Sequence, residues 1–202
     1  MPHGLLVTAF EPFAGARRNP SALVLESLAG AGPLATALLP VSATETPRAL
    51  RRALQAHEPA GVLLLGEARG RATVCLERRA RNRADYPIPD NGGARLSNVT
   101  IDPSGAAELV TSLPVEAWAA EVSSAGVPCV VSEDAGSFLC NHAYYLALAY
   151  ATEHNCRALF VHLPSLREDL KDLEVAVGLD LACELAAVSR IIGYWRALIE
   201  RP

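Results

Sequence analysis

Three side chains in this sequence are of the types that nucleophilic acyl chemistry needs. Cys140 lies in Asp134-Ala135-Gly136-Ser137-Phe138-Leu139-Cys140-Asn141-His142, and an apolar pattern at Tyr144, Tyr145, Leu146, Leu148 and Ala149 predicts a helix running onward from it. The thiol is then expected near a helix N-terminus, where the dipole and free N–H groups favour a thiolate and can donate to a developing oxyanion. The competing reading is an inert core cysteine. Cys75, Cys129, Cys156 and Cys183 keep that reading, because no turn into a helix start surrounds them. Two histidines could serve as base. His142 follows the thiol by two residues, which on a helix turns its side chain by about 200° away from it. His162 closes the apolar run Leu159-Phe160-Val161 before Leu163-Pro164, placing it at a strand's carboxyl end, where α/β folds gather their functional groups. A hydrogen-bonded core histidine fits the same pattern. A carboxylate is needed to orient the imidazole, and Glu77, in Thr73-Val74-Cys75-Leu76-Glu77-Arg78-Arg79, is the candidate. On spacing alone, a salt-bridged carboxylate among arginines suits Glu77 equally well.

These groups need a scaffold. Short apolar runs at residues 5–9, 62–65, 127–131 and 158–161 read as buried strands of a mixed, mostly parallel sheet. Helical patterns cover residues 20–28, 46–57, 114–124, 138–154 and 168–194. The first opens on Asn19-Pro20-Ser21, in which Asn can cap free N–H groups and Pro suits the first turn. The alternation predicts an α/β fold, a three-layer α/β/α sandwich around a twisted sheet. Residues 87–96, with Pro87, Asp90-Asn91 and Gly92-Gly93, read as a long irregular loop of the kind that often carries function.

Half of the 202 residues are hydrophobic and 20% are charged, enough for one compact domain over residues 1–202. No apolar run approaches the roughly 20 residues that span a bilayer, and residues 1–4 lack the basic start of a secretory signal. A cytoplasmic protein without membrane attachment is expected. Five cysteines, odd in number and without a C-x-x-C pair, argue for reduced thiols. Cys140 and His142 alone lack the further ligands of a metal site, so neither metal nor cofactor is expected. A net charge of −4 disfavours general nucleic-acid binding. Arg69, Arg71, Arg78, Arg79, Arg81 and Arg83 form a local basic cluster, for which a solvated or internally paired face is the plain reading.

Five blocks in order resemble the pyroglutamyl peptidases, also called pyrrolidone-carboxylate peptidases. They are Val7-Thr8-Ala9-Phe10-Glu11-Pro12-Phe13-Ala14-Gly15 with Asn19-Pro20-Ser21; Gly66 to Asn82; Ile88-Pro89-Asp90-Asn91 with Gly93; Ser132 to His142; and Val161-His162-Leu163-Pro164. The resemblance implies a cysteine peptidase that removes N-terminal pyroglutamate from peptides, with a triad falling on Cys140, His162 and Glu77. It also implies a lactam pocket walled by Phe10, Phe13, Ile88, Phe138 and Leu139. Backbone groups near Phe13 and Glu67 would bind the lactam, and Asn19 would steady the loop. Family members assemble in some organisms, so a homo-oligomer is compatible.

This chain departs from the family pattern in having Ala9 and Ala14 for glycine, Glu67 for glutamine and Pro87 for arginine. Proline offers neither a guanidinium nor an N–H, and the expectation is that an arginine of the 69–83 cluster reaches the oxyanion region instead. A hydrolase for another cyclic amide or a thioester stays open as an alternative, as does a non-catalytic anion-binding module.

Overall fold

The computed structural model describes residues 4–29, 34–170 and 177–199. Its elements run β1 (Leu5–Phe10), α1 (Pro20–Leu28), β2 (Leu34–Leu39), α2 (Glu45–His57), β3 (Gly61–Glu67), β4 (Val74–Glu77), β5 (Arg79–Arg81), β6 (Glu108–Val110), α3 (Val115–Ser124), β7 (Cys129–Ser132), α4 (Leu139–Glu153), β8 (Arg157–Leu163), a 3-10 turn (Arg167–Leu170) and α5 (Leu181–Ile199). Six strands form one sheet in the order β2-β1-β3-β8-β4-β7, and β5 pairs with β6 in a small second sheet. All pairings in the large sheet are parallel except β4 against β8.

The central strands are buried on both faces, which is why they read as unbroken apolar runs rather than alternations. Odd-numbered positions such as Leu63, Leu65, Val161 and Leu163 pack under α1, α3 and α5, in a core closed by Trp118 and Trp195. Their neighbours Val62, Leu64 and Phe160 face α2 and α4, with Leu50, Leu54, Tyr144 and Leu148. The result is the expected three-layer α/β/α sandwich.

Helix starts follow local chemistry. The Asn19 side chain accepts from the Ser21 N–H at 3.0 Å and its amide donates to the Glu11 carbonyl at 3.1 Å, so one residue both caps α1 and ties down the preceding loop. The helix expected over residues 168–194 is not continuous. Leu179 instead bridges to Leu166, and α5 begins only at Leu181. The Asp180 carbonyl accepts from the N–H groups of Cys183 and Glu184, so Asp180 is where the helix opens. A Cβ at Gly178 would collide with the Ser165 carbonyl, so the chain passes there as a close-packed strand-like segment. Residues 171–176 of that expected helix lie outside the described residues.

The segment expected as an irregular loop at residues 87–96 is irregular but anchored. Asp90 accepts from the N–H groups of Ala43, Gly92 and Ala94, and the Asn91 amide donates to the Pro12 carbonyl.

Candidate active site

Strand register assembles the site. Gly66 on β3 lies opposite His162 on β8, and Cys75 on β4 lies opposite His162 from the other side, with Glu77 opposite Phe160. Alternation along each strand then turns His162, Glu77 and the missing side chain of Gly66 toward the α4 layer. The Cys140 sulfur, one residue into α4, rests above Gly66, 3.1 Å from where a Cβ would stand. Phe160 would meet that same Cβ at 2.7 Å, so a side chain here would press on both the ring and the sulfur. Sulfur and imidazole therefore lie over neighbouring strands, the sulfur above β3 and the imidazole on β8.

His162 Nδ1 is 2.8 Å from Glu77 Oε1, and Glu77 is fully buried behind the imidazole. A carboxylate only accepts, so Nδ1 carries the proton and Nε2 is left as the basic nitrogen. Arg71 Nη1 donates to the same Glu77 oxygen at 2.7 Å, while Nη2 donates to the Asp134 carbonyl at 2.9 Å.

At the start of α4, Phe138 is extended (φ −85°, ψ −162°) and no side chain caps the helix, which leaves the N–H groups of its first turn beside the thiol. The expected thiolate nevertheless does not form by itself. Burial pushes the Cys140 thiol up to about 12, helped by the Glu77 and Glu67 carboxylates and opposed by Arg71 and the residue's own N–H. Desolvation outweighs the helix terminus, and the thiol stays protonated until a base takes its proton together with attack.

A cavity of about 590 Å³ collects Cys140, His162 and every expected pocket residue: Phe10, Phe13, Asn19, Glu67, Ile88, Phe138 and Leu139. Glu77 stands outside it, behind His162. Phe13 and Phe138 face each other with ring centroids 6.2 Å apart, and Tyr86 meets Phe138 edge-on at 4.8 Å. The Tyr86 hydroxyl lies 3.0 Å from His142 Nδ1. His142 thus points away from the thiol, as helix geometry demands, and its burial brings it down to about 4, so it is neutral there.

The Glu67 side chain follows strand alternation onto the opposite, α5 face. Its Oε1 accepts from Ser165 Oγ at 2.7 Å, and Oε2 lies 3.5 Å from Arg69 Nε. The same face holds Glu184, whose two buried oxygens have no hydrogen-bond partner among the described residues. Burial, with Glu67 adding to it, pushes Glu184 up to about 9.

The arginine cluster divides. Arg78 pairs with Glu116 and Glu133, Arg79 with Glu108 and Glu133, Arg81 with Asp134 and Arg83 with Asp85, all on the surface. Arg69 and Arg71 instead line the cavity, Arg69 with its guanidinium 4.5 Å over the Phe13 ring. Pro87 forms part of the same wall. Sequence reasoning missed the individual importance of Arg71, which the arginine run concealed, and the roles of Gly66, Tyr86 and Asn141. The turn carrying Phe13 is closed by the Ala16 N–H on the Phe13 carbonyl, with positive φ at Ala14 (49°) and Gly15 (74°).

A carboxylate-held imidazole beside a thiol at a helix N-terminus, on a three-layer α/β sheet, defines a cysteine hydrolase class of site. Comparison with known proteins narrows the class. A family model described as pyroglutamyl peptidase matches residues 3–192. The pyrrolidone-carboxylate peptidase of Gloeobacter violaceus is 35% identical over 198 residues, covering 96% of this chain and 97% of the relative. That of Streptomyces coelicolor is 41% identical over 174 residues, covering 83% and 81%. Among solved structures, pyroglutamyl peptidase I of Bacillus amyloliquefaciens superposes with a TM-score of 0.88 at 32% identity, covering 94% of this chain and 93% of that one. The pyrrolidone carboxyl peptidase of Fervidobacterium islandicum AW-1 gives 0.92 at 32% identity, covering 96% and 99%. The chain belongs to the pyroglutamyl peptidase family.

Proposed function

We propose that this protein is a cysteine peptidase that removes N-terminal pyroglutamate from peptides, with Cys140 as nucleophile, His162 as general base and acid, and Glu77 as the group that orients it. The observation that carries the reading is the 2.8 Å His162–Glu77 contact set against Cys140 in a cavity with aromatic and aliphatic walls. A lactam has no free amine, so its pocket needs apolar walls and a few polar backbone groups, with no carboxylate aimed at an ammonium. Phe10, Phe13, Ile88, Phe138 and Leu139 supply the walls. Glu67 keeps its carboxylate on the Ser165 and Arg69 side, which leaves its backbone for the lactam and makes the change from glutamine tolerable.

In the reaction His162 Nε2 takes the thiol proton as sulfur attacks the carbonyl joining pyroglutamate to the next residue. The tetrahedral oxyanion is held by the Cys140 N–H at the open start of α4. Nε2 then gives its proton to the departing amine, leaving a thioester. Water then attacks the thioester carbonyl as it loses a proton to Nε2, and the C–S bond breaks as Nε2 returns that proton to sulfur, releasing pyroglutamate and the free thiol. Asn19 keeps the Phe13 loop in place through its cap and its bond to Glu11. The enzyme acts as one peptidase domain in the cytoplasm. No helix among the described residues is long and apolar enough to cross a membrane.

Turnover of a pyroglutamyl anilide beside a prolyl anilide, by wild type and Cys140→Ser, tests the assignment. The lactam substrate should be strongly preferred, and the variant should lose at least about 1,000-fold in kcat. Turnover surviving in Cys140→Ser, or equal cleavage of both anilides, would overturn it.

A further inference from the structure

The triad leaves one charged partner unexplained. Glu77 Oε1 receives two donors, His162 Nδ1 at 2.8 Å and Arg71 Nη1 at 2.7 Å, although the triad needs only the first. Arg71 is placed by the turn after β3, where its N–H donates to the Ala68 carbonyl and Gly70 takes a positive φ of 82°. From there the guanidinium spans three parts of the site. It touches Glu77 on β4, stands 3.5 Å from Ser132 Oγ, and donates to the Asp134 carbonyl in the segment that leads into α4 and Cys140. It also lines the cavity.

Charge balance gives this arrangement a purpose. When sulfur is deprotonated and the imidazole protonated, the buried centre contains a Glu77 carboxylate, a His162 imidazolium and a Cys140 thiolate. Those three sum to one uncompensated negative charge in a poorly solvated place, which is costly. Arg71 brings the sum to zero. The other polar groups around the sulfur cannot do this. Glu67 adds negative charge, the Tyr86 hydroxyl is neutral, Arg69 is engaged with Glu67 and the Phe13 carbonyl, and Pro87 has nothing to offer.

We propose that Arg71 is a positioning residue of the reaction, clamping Glu77 and the 132–134 segment around the catalytic groups and supplying the cation that the Cys140 thiolate requires. This rests on the triad reading above. Arg71 acts through Glu77 and through its field at the sulfur.

The test uses Arg71→Met and Arg71→Lys, with kcat and KM for a pyroglutamyl anilide and the pH dependence of Cys140 alkylation by iodoacetamide. For Arg71→Met, kcat should fall by about 100-fold while KM changes less than about threefold, as expected for loss of an interaction made in the transition state. Its alkylation at any one pH below that of the thiol's titration should slow at least about tenfold, the profile moving toward higher pH, because a cation near the sulfur has gone. Arg71→Lys keeps the charge but not the fork. It should restore most of the alkylation profile and only part of kcat. Wild-type kcat and alkylation in Arg71→Met overturn the proposal. So do equal losses in Met and Lys with an unmoved alkylation profile, which would mark a purely structural arginine. Should Arg71→Met fail to fold by circular dichroism, Arg71→Lys decides. A kcat at least tenfold below wild type at constant KM supports the clamp, and an unchanged kcat overturns it. Activity retained in Cys140→Ser would defeat the triad reading itself, whereas an inactive Cys140→Ser beside unaffected Arg71 variants defeats only this inference.

Discussion

Ala14 occupies a backbone conformation that suits glycine, with φ at +49° in the turn that carries Phe13 to the cavity. A left-handed alanine costs roughly 1–2 kcal/mol, part of which returns as lower chain entropy in the unfolded state. Ala14→Gly should therefore stabilise the protein by about 0.5–1 kcal/mol, measured as a higher urea midpoint at unchanged slope. A lower midpoint would mean that the turn is relaxed with alanine. At this scale the sequence was informative where chemistry depends on residue type and position along an element. His162 could be placed at a strand end and His142 turned aside by counting residues. The state of the thiol was not legible. A helix N-terminus pointed to a thiolate, but desolvation and two carboxylates act from elements distant in sequence, and together they hold Cys140 protonated. The inward turn of Arg71 was equally hidden, since six arginines in a run look alike until Glu77 and Asp134 are placed beside one of them.

Among the elements, α4 does more than present Cys140. Asn141, next to Cys140 and buried, accepts from the Arg81 N–H at 2.8 Å and donates to the carbonyls of Arg81 and Arg83 at 2.9 Å each. A single amide thus fastens α4 to β5. Asn141→Ala strands three backbone groups, and the expected loss is about 2–3 kcal/mol in urea or thermal unfolding. A loss below about 0.5 kcal/mol would show that the pairing can be replaced by water. The strands missed in the sequence were missed for physical reasons. The edge strand β2 reads Leu-Ala-Thr-Ala-Leu-Leu, five of whose six residues are Leu or Ala and favour helices, and takes its strand form from pairing along β1. Four-residue β4 ends in a charged side chain, and nothing local reveals that Glu77 is to be buried against His162. The antiparallel insertion of β4 beside β8 is likewise a tertiary fact, and without it base and carboxylate would not share a face.

For the molecule as a whole, two cores on opposite faces of one sheet carry different burdens. The α4 face holds the candidate site, and the α5 face holds Glu184, a carboxyl group without hydrogen-bond partners among the described residues. Its folded value of about 9 lies above the ordinary 4.5, so both states are protonated below pH 4.5 and stability is complete there. As pH rises the unfolded chain ionises first, and stability falls until the folded group also ionises near pH 9. At pH 7 the loss amounts to about 3 kcal/mol. Urea midpoints of the wild type should decline from pH 5 to pH 8, while Glu184→Gln should be markedly flatter. Parallel declines would assign the slope to other groups. The opposite face makes its most demanding provision with no functional group at all. Gly66 contributes to the candidate site by lacking a methyl, which would press on the Phe160 ring at 2.7 Å and on the Cys140 sulfur at 3.1 Å. An inventory of reactive side chains would pass over it, although ring and sulfur lie together as they do because one carbon was left out of the floor beneath them.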